Sequence, residues 1–121
     1  MDLSTVRLEL SGHAVSRFVD RLDRPGSIKK QNERSENAWK NFRKSIKAYV
    51  RQGILAATLR KDSEVHHYIR ISYRDYFYYA VLGEINPNTM IVKTFLDTRQ
   101  FFDFVKTVKE NPTWDWEVHA Y

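Results

Sequence analysis

Every second residue in one stretch of this chain is a group that handles phosphate or protons. In Glu64-Val65-His66-His67-Tyr68-Ile69-Arg70-Ile71-Ser72-Tyr73-Arg74, one alternate set reads His66, Tyr68, Arg70, Ser72, Arg74. The other reads Val65, His67, Ile69, Ile71. Side chains alternate between the two faces of a strand. One face is therefore expected to be mostly core, and the other to carry an imidazole, a phenol and two guanidiniums in a row. Arginine contacts phosphate bidentately, and imidazole exchanges protons near neutral pH. Surface strands also carry Arg and Tyr for solvation and cross-strand packing, so the stripe suggests a site without defining one.

Several chemistries find no support. His66 and His67 are neighbours, so on a strand they point to opposite faces and cannot share a metal. There is no His-x-x-x-His and no cysteine, and neither a metal nor another cofactor is expected. Four glycines, none in a phosphate-binding pattern, argue against a nucleotide cradle. No Gly-x-Ser-x-Gly elbow is present. What remains is metal-free acid–base chemistry on a phosphodiester. RNA supplies its own nucleophile, the 2′-hydroxyl. Its cleavage needs a base, an acid and cations around the phosphorus. The candidates are His13 or His66 for proton transfer, Arg17, Arg70, Arg74 and Lys93 for charge, and Tyr68, Tyr73 and Thr94 for positioning. His67 faces the apolar set and reads as a core histidine. His119, in the tail, suggests no role.

At 121 residues the chain is expected to form one domain, residues 1–121. Its net charge of +5 is unevenly spread. Residues 21–51 hold ten Lys and Arg against Asp23, Glu33 and Glu36, a net +7. Such a block favours a polyanionic partner. It nominates Arg21, Arg24, Lys29, Lys30, Arg34 and Lys47, with Arg74 from the stripe, as nucleic-acid contacts. The alternative is a solvated basic helix. No apolar run approaches the ~20 residues that span a bilayer, and Met1–Thr5 shows no secretory leader. A cytoplasmic protein with no membrane partner is expected, and the absence of cysteine fits a reducing compartment.

The elements that must position these groups follow from periodicity. Residues 5–10 alternate as a short strand. Ser11 is placed as an N-cap, and Ala14, Val15, Phe18, Val19 and Leu22 form the stripe of a first helix. A basic loop over 23–34 follows. Ser35 then opens a second helix, carrying Trp39, Phe42, Ile46, Tyr49 and Val50, which Gly53 stops. The period then changes from 3.6 to 2. Strands are predicted over 54–60, 65–73, 76–85 and 90–96, joined by short turns. Asp97 or Thr98 caps a last helix with Phe101, Phe102, Val105 and Val108 on its stripe. The tail, with Trp114, Trp116 and Tyr121, is expected to dock on the core or on a partner. The expected fold is α+β: a four-stranded antiparallel meander with two helices on one face, plus a C-terminal helix and docked tail. The other sheet face is expected to stay open for a ligand.

The segment Leu10-Ser11-Gly12-His13-Ala14-Val15-Ser16-Arg17-Phe18-Val19-Asp20-Arg21 resembles the His-Ala-x-x-Arg-hydrophobic-x-x-Arg opening of small toxin-like ribonucleases. These belong to the barnase–EndoU–colicin–RelE superfold, with RelE- and BrnT-like toxins as small members. Ile91-Val92-Lys93-Thr94-Phe95 resembles the fourth strand of several such domains. The resemblance implies that His13, Arg17, Arg70, Lys93 and Thr94 match family catalytic positions, and that an antitoxin is a possible partner. Two departures leave a non-catalytic binder open: the longer loop and helix after residue 22, and the extra C-terminal helix and tail.

The function expected from these observations is RNA binding, with metal-independent endoribonuclease chemistry of the toxin-like kind at His13, Arg17, His66, Arg70, Lys93 and Thr94. Two alternatives stand beside it. One is a non-catalytic inhibitor or adaptor of a mobile element that grips an acidic protein. The other is a nucleic-acid binder without catalysis.

Overall fold

The structure, a computed structural model, describes residues 2–22 and 36–119. Among these residues the chain runs through β1 (Arg7–Leu10), α1 (Gly12–Arg21), α2 (Glu36–Arg51), β2 (Ile54–Lys61), β3 (Glu64–Tyr73), β4 (Tyr76–Asn86), β5 (Thr89–Asp97), α3 (Thr98–Lys109) and β6 (Asp115–Val118). The strands form one mixed sheet in the order β1-β5-β4-β3-β2-β6. Neighbours from β2 to β5 are antiparallel, as is β6 on β2, whereas β1 lies parallel to β5. The class is α+β as expected, but the sheet is six-stranded and mixed, not a four-stranded meander. A local pattern reveals a strand; it carries no information about which distant strand will pair with it.

The starts of α1 and α3 obey local capping rules, and Ser35, expected to open α2, lies outside the described residues. The Ser11 hydroxyl accepts from the Ala14 amide at 2.9 Å and donates to the Lys93 carbonyl at 3.2 Å, fixing α1 to β5. Asp97 accepts from the Gln100 amide while the Gln100 side chain accepts from the Asp97 amide, a capping box for α3. At Gly53, between α2 and β2, a Cβ would sit 2.4 Å from Ile69 Cγ2 and 2.8 Å from the Arg70 carbonyl. Only glycine lets the backbone pass so close to β3. The β3–β4 hairpin turns on Arg74 and Asp75, both left-handed (φ 48° and 68°), as in a two-residue type I′ turn.

The sheet is buried on both faces. On the first, Ala14, Phe18 and Leu22 of α1 and its end, with Ile46 and Val50 of α2, cover Ile69, Ile71, Ala80, Leu82, Val92 and Phe95. On the second, Phe101 and Val105 of α3 pack on Ala57, Leu59, Tyr68, Tyr79 and Val81, with Trp114 and Trp116 against them. Phe101 stacks on Tyr79 with ring centroids 3.8 Å apart. The expected open face is thus closed at its centre. Thr98 follows β5 directly, so α3 folds back over the face opposite α1 and α2, and the docked tail extends that cover as an edge strand.

Candidate functional site

The alternation in β3 places His66, Tyr68 and Arg70 on the second face, but they do not form one continuous solvent-facing row. Tyr68 lies under α3 and the tail, 5.3 Å from Phe104 and 5.5 Å from Trp116 between ring centroids. Burial pushes its phenol far above the ordinary value, and it has no access to a phosphate. It divides the stripe into two ends.

At one end, His66 meets Lys93. Between Val81 and Leu82 the register slips on β5, so Lys93 is an extra residue in the ladder, a β-bulge. Its side chain crosses over Gly83, where a Cβ would stand 2.6 Å from Lys93 Cε. The Lys93 ammonium donates to His66 Nε2 at 3.1 Å. The bond requires a neutral imidazole. Burial, and then the positive charge of Lys93, hold the His66 pKa below its usual value, against the pull of Glu64 3.8 Å away. Glu64, His66, Gly83, Ile91 and Lys93 line a shallow depression. Thr94 is half-buried and pairs with Val81, next along β5. A glycine inside a strand pattern is the signal that could have indicated the crossing of Lys93.

At the other end, the Arg70 guanidinium lies 4.7 Å from the centroid of Phe77. Beyond the end of β5, Arg21, Tyr76, Phe77, Tyr78, Asp97 and Arg99 are among the residues around a cleft of ≈ 380 Å³ between the end of α1 and the start of α3. A smaller depression with Arg74 adjoins it through Tyr76 and Tyr78. Arg21 is half-buried and donates to the Phe95 carbonyl. Its pKa is lowered, first by burial and then by Arg17. Tyr76, Phe77 and Arg99 were not singled out from sequence, because consecutive aromatics in a strand read as core.

His13 is not brought to Arg70. Its helix packs on the first face with Ile69 and Ile71, whereas Arg70 lies on the second. His13 is exposed, and its Nε2 accepts from Arg17 Nε at 3.3 Å; Arg17 also pairs with Asp20 at 3.5 Å. The expected six-residue centre therefore separates into His66–Lys93–Thr94, Arg70 with Phe77, and His13–Arg17. The alternation in β3 and the amphipathic stripe of α1 put these groups on opposite sides of the sheet, and no local pattern could bring them together.

Of the expected nucleic-acid contacts, Arg24, Lys29, Lys30 and Arg34 lie outside the described residues. Lys47 is on α2, where Lys40, Arg43, Lys44 and Lys47 form a basic row along one side of the helix. Among the described residues none of these four is ion-paired. Arg51, from the same helix, instead holds the N-terminal segment, donating to the Leu3 carbonyl and to the Val6 carbonyl at 2.9 Å.

A further polar network lies on the first face, towards β6. His67 Nδ1 is 3.0 Å from Thr58 Oγ1, His67 Nε2 is 3.3 Å from Glu84 Oε2, and Thr58 Oγ1 is 3.1 Å from His119 Nε2. With Glu84 ionised, His67 donates to it through Nε2–H. Nδ1 then accepts the Thr58 hydroxyl proton, and the Thr58 oxygen accepts Nε2–H of His119. His67 is a core histidine as read from sequence, satisfied by Thr58 and Glu84 from the two neighbouring strands. The role of His119, joining the tail to this chain of bonds, was not legible.

Among the described residues no three His, Asp or Glu side chains are grouped so as to hold a metal, and no helix is long and apolar enough to cross a membrane. No family model matches the chain, and neither a curated protein nor a solved structure does.

Proposed function

We propose that this protein binds RNA, with the outer face of α2 as its main phosphate contact. The observation that carries the reading is the row Lys40, Arg43, Lys44 and Lys47. These cations stand together on one helix without acidic partners among the described residues. A structural role for surface charge normally interleaves both signs; a one-sign row suits a polyanion. The test is fluorescence anisotropy with a labelled single-stranded RNA across a salt series. Reversal of Lys40, Lys44 and Lys47 to Glu should weaken binding by well over tenfold. It should also flatten the dependence of log affinity on log salt by about 2, at ~0.7 per phosphate contact. Unchanged affinity would remove α2 from the interface.

A second reading, metal-independent cleavage, is favoured by the His66–Lys93 pair alone. A neutral imidazole beside an ammonium could accept the 2′-hydroxyl proton as the 2′-oxygen attacks phosphorus, with Lys93 turned to the phosphate and giving a proton to the 5′-oxygen as its bond to phosphorus breaks; Thr94 is adjacent. His13 has no part in this arrangement. Incubation with RNA in EDTA tests it: the wild type should cleave and His66→Ala should not. Binding without cleavage leaves the protein as an RNA binder.

A further inference from the structure

We propose that the end of the sheet beside β5 receives two successive unstacked nucleotides of a single-stranded RNA, one base against Tyr76 in the cleft, the next against Phe77 on the opposite side of β4, and a phosphate on Arg99. This rests on the RNA-binding reading and adds what α2 alone cannot give, a preference for unpaired strands. Four observations meet at this place.

Large aromatics are normally covered, yet Tyr76 is 66% exposed and Phe77 50%. Both lie in the first two residues of β4, beyond the last β5 pairing, Tyr78 with Asp97. The cleft at Tyr76 holds ≈ 380 Å³, within the range of small-ligand sites and enough for one nucleotide rather than a folded partner's surface.

The charged lining of the cleft is balanced, Asp20 and Asp97 against Arg21 and Arg99, and Arg17 beside Asp20 tips it to positive. Asp97 also accepts from the Gln100 amide at 2.7 Å as the cap of α3. Asp20 is paired with Arg17. Arg99 is exposed and has no ion pair among the described residues. Arg70 adds a guanidinium over Phe77, and Arg74 flanks the adjoining depression.

Aromatic rings beside arginines form the stacking platforms of single-strand binders, because every base has a π-face. A duplex hides its bases and would reach only the cations. An apolar peptide would match the rings but leave Arg99 and Arg70 unanswered.

The experiment compares anisotropy of a labelled octanucleotide RNA with that of the same sequence as a duplex, on the whole chain. The wild type should prefer the single strand. Phe77→Ala with Tyr76→Ala should weaken single-strand binding at least about fivefold and leave duplex affinity unchanged. Arg99→Ala should weaken it too, and Phe77→Trp should retain it. Far-UV circular dichroism verifies that the variants fold. Equal affinity for both forms, or a double variant that binds like the wild type while the α2 reversal does not, overturns this inference and leaves the RNA reading standing. A wild type that binds neither form overturns both, and points instead to a protein partner.

Discussion

His67 and Glu84 face each other across β3 and β4, with Nε2 3.3 Å from Oε2, while the opposite ring nitrogen reaches Thr58. The imidazole is therefore held at both nitrogens in its neutral form. Burial is the largest influence and lowers its pKa from the ordinary 6.5, with Glu84 opposing. The His66 pKa is lowered as well. A histidine that binds its proton less readily when folded contributes stability that is complete above pH 6.5 and is lost as the pH falls below it. Urea midpoints should therefore be constant from pH 8 to 7 and fall from pH 6.5 towards 5. His67→Gln should be less stable at pH 7.5 but lose less on acidification.

Thr58 links two imidazoles and is 2% exposed. Thr58→Val keeps its shape while removing both hydrogen bonds. Unfolding free energy should drop by about 1–3 kcal/mol, the range for buried groups left without a partner. Amide exchange should rise first along β6, which loses its tie through His119.

The approach of Lys93 to His66 depends on the bare backbone at Gly83. Gly83→Ala displaces only the flexible end of Lys93, so the fold should hold. The ammonium should leave the imidazole, however, and the His66 pKa should move up, as it should in Lys93→Met. Titration of the histidine ring protons by NMR reads both variants. An unmoved His66 resonance in Gly83→Ala would show that Lys93 finds another route over β4.

Trp116 packs on Tyr68 and Phe104, yet among the described residues its buried indole N–H meets no acceptor. Removing the ring should cost more than removing the nitrogen. Trp116→Ala should lose about 2–3 kcal/mol, whereas Trp116→Phe should stay within about 1 kcal/mol of the wild type in thermal or urea unfolding.

Arg74 and Asp75 adopt backbone angles that Asn and Gly accept more readily. A left-handed residue with a long side chain costs roughly 1 kcal/mol. Arg74→Asn with Asp75→Gly should raise stability by about 0.5–1 kcal/mol, and RNA affinity should fall because a cation beside Tyr76 is lost. A gain in both would place Arg74 outside the interface.

Local rules made much of this fold legible. Ser11 and Asp97 act as the caps they resemble, Gly53 ends the helix before it, and the four central strands follow their period-2 runs. The outer strands were less legible as neighbours, since Arg7 opposite Thr89 and Thr58 opposite Glu117 are pairings between distant segments with no local trace. The stripe Phe101, Val105, Val108 shows that α3 is amphipathic but not which sheet face it will cover. That missing choice explains why Tyr68 reads as a site residue and proves to be core. The site has the same limit: residue types suggested phosphate chemistry, while the bulge at Lys93 decided which groups could meet.

The parallel pairing of β1 with β5 has a kinetic consequence. The four central strands close through turns of a few residues, so they can associate early, whereas β1 must find a partner about eighty residues away, as the bond from Ser11 to the Lys93 carbonyl records. Loop-closure entropy delays such contacts. β1 and the start of α1 should then dock after the transition state: Leu8→Ala should speed unfolding and leave the refolding rate nearly untouched. During that interval the β5 edge stays unpaired, and with it an available template for intermolecular strand addition. Aggregation during refolding should therefore begin at β5.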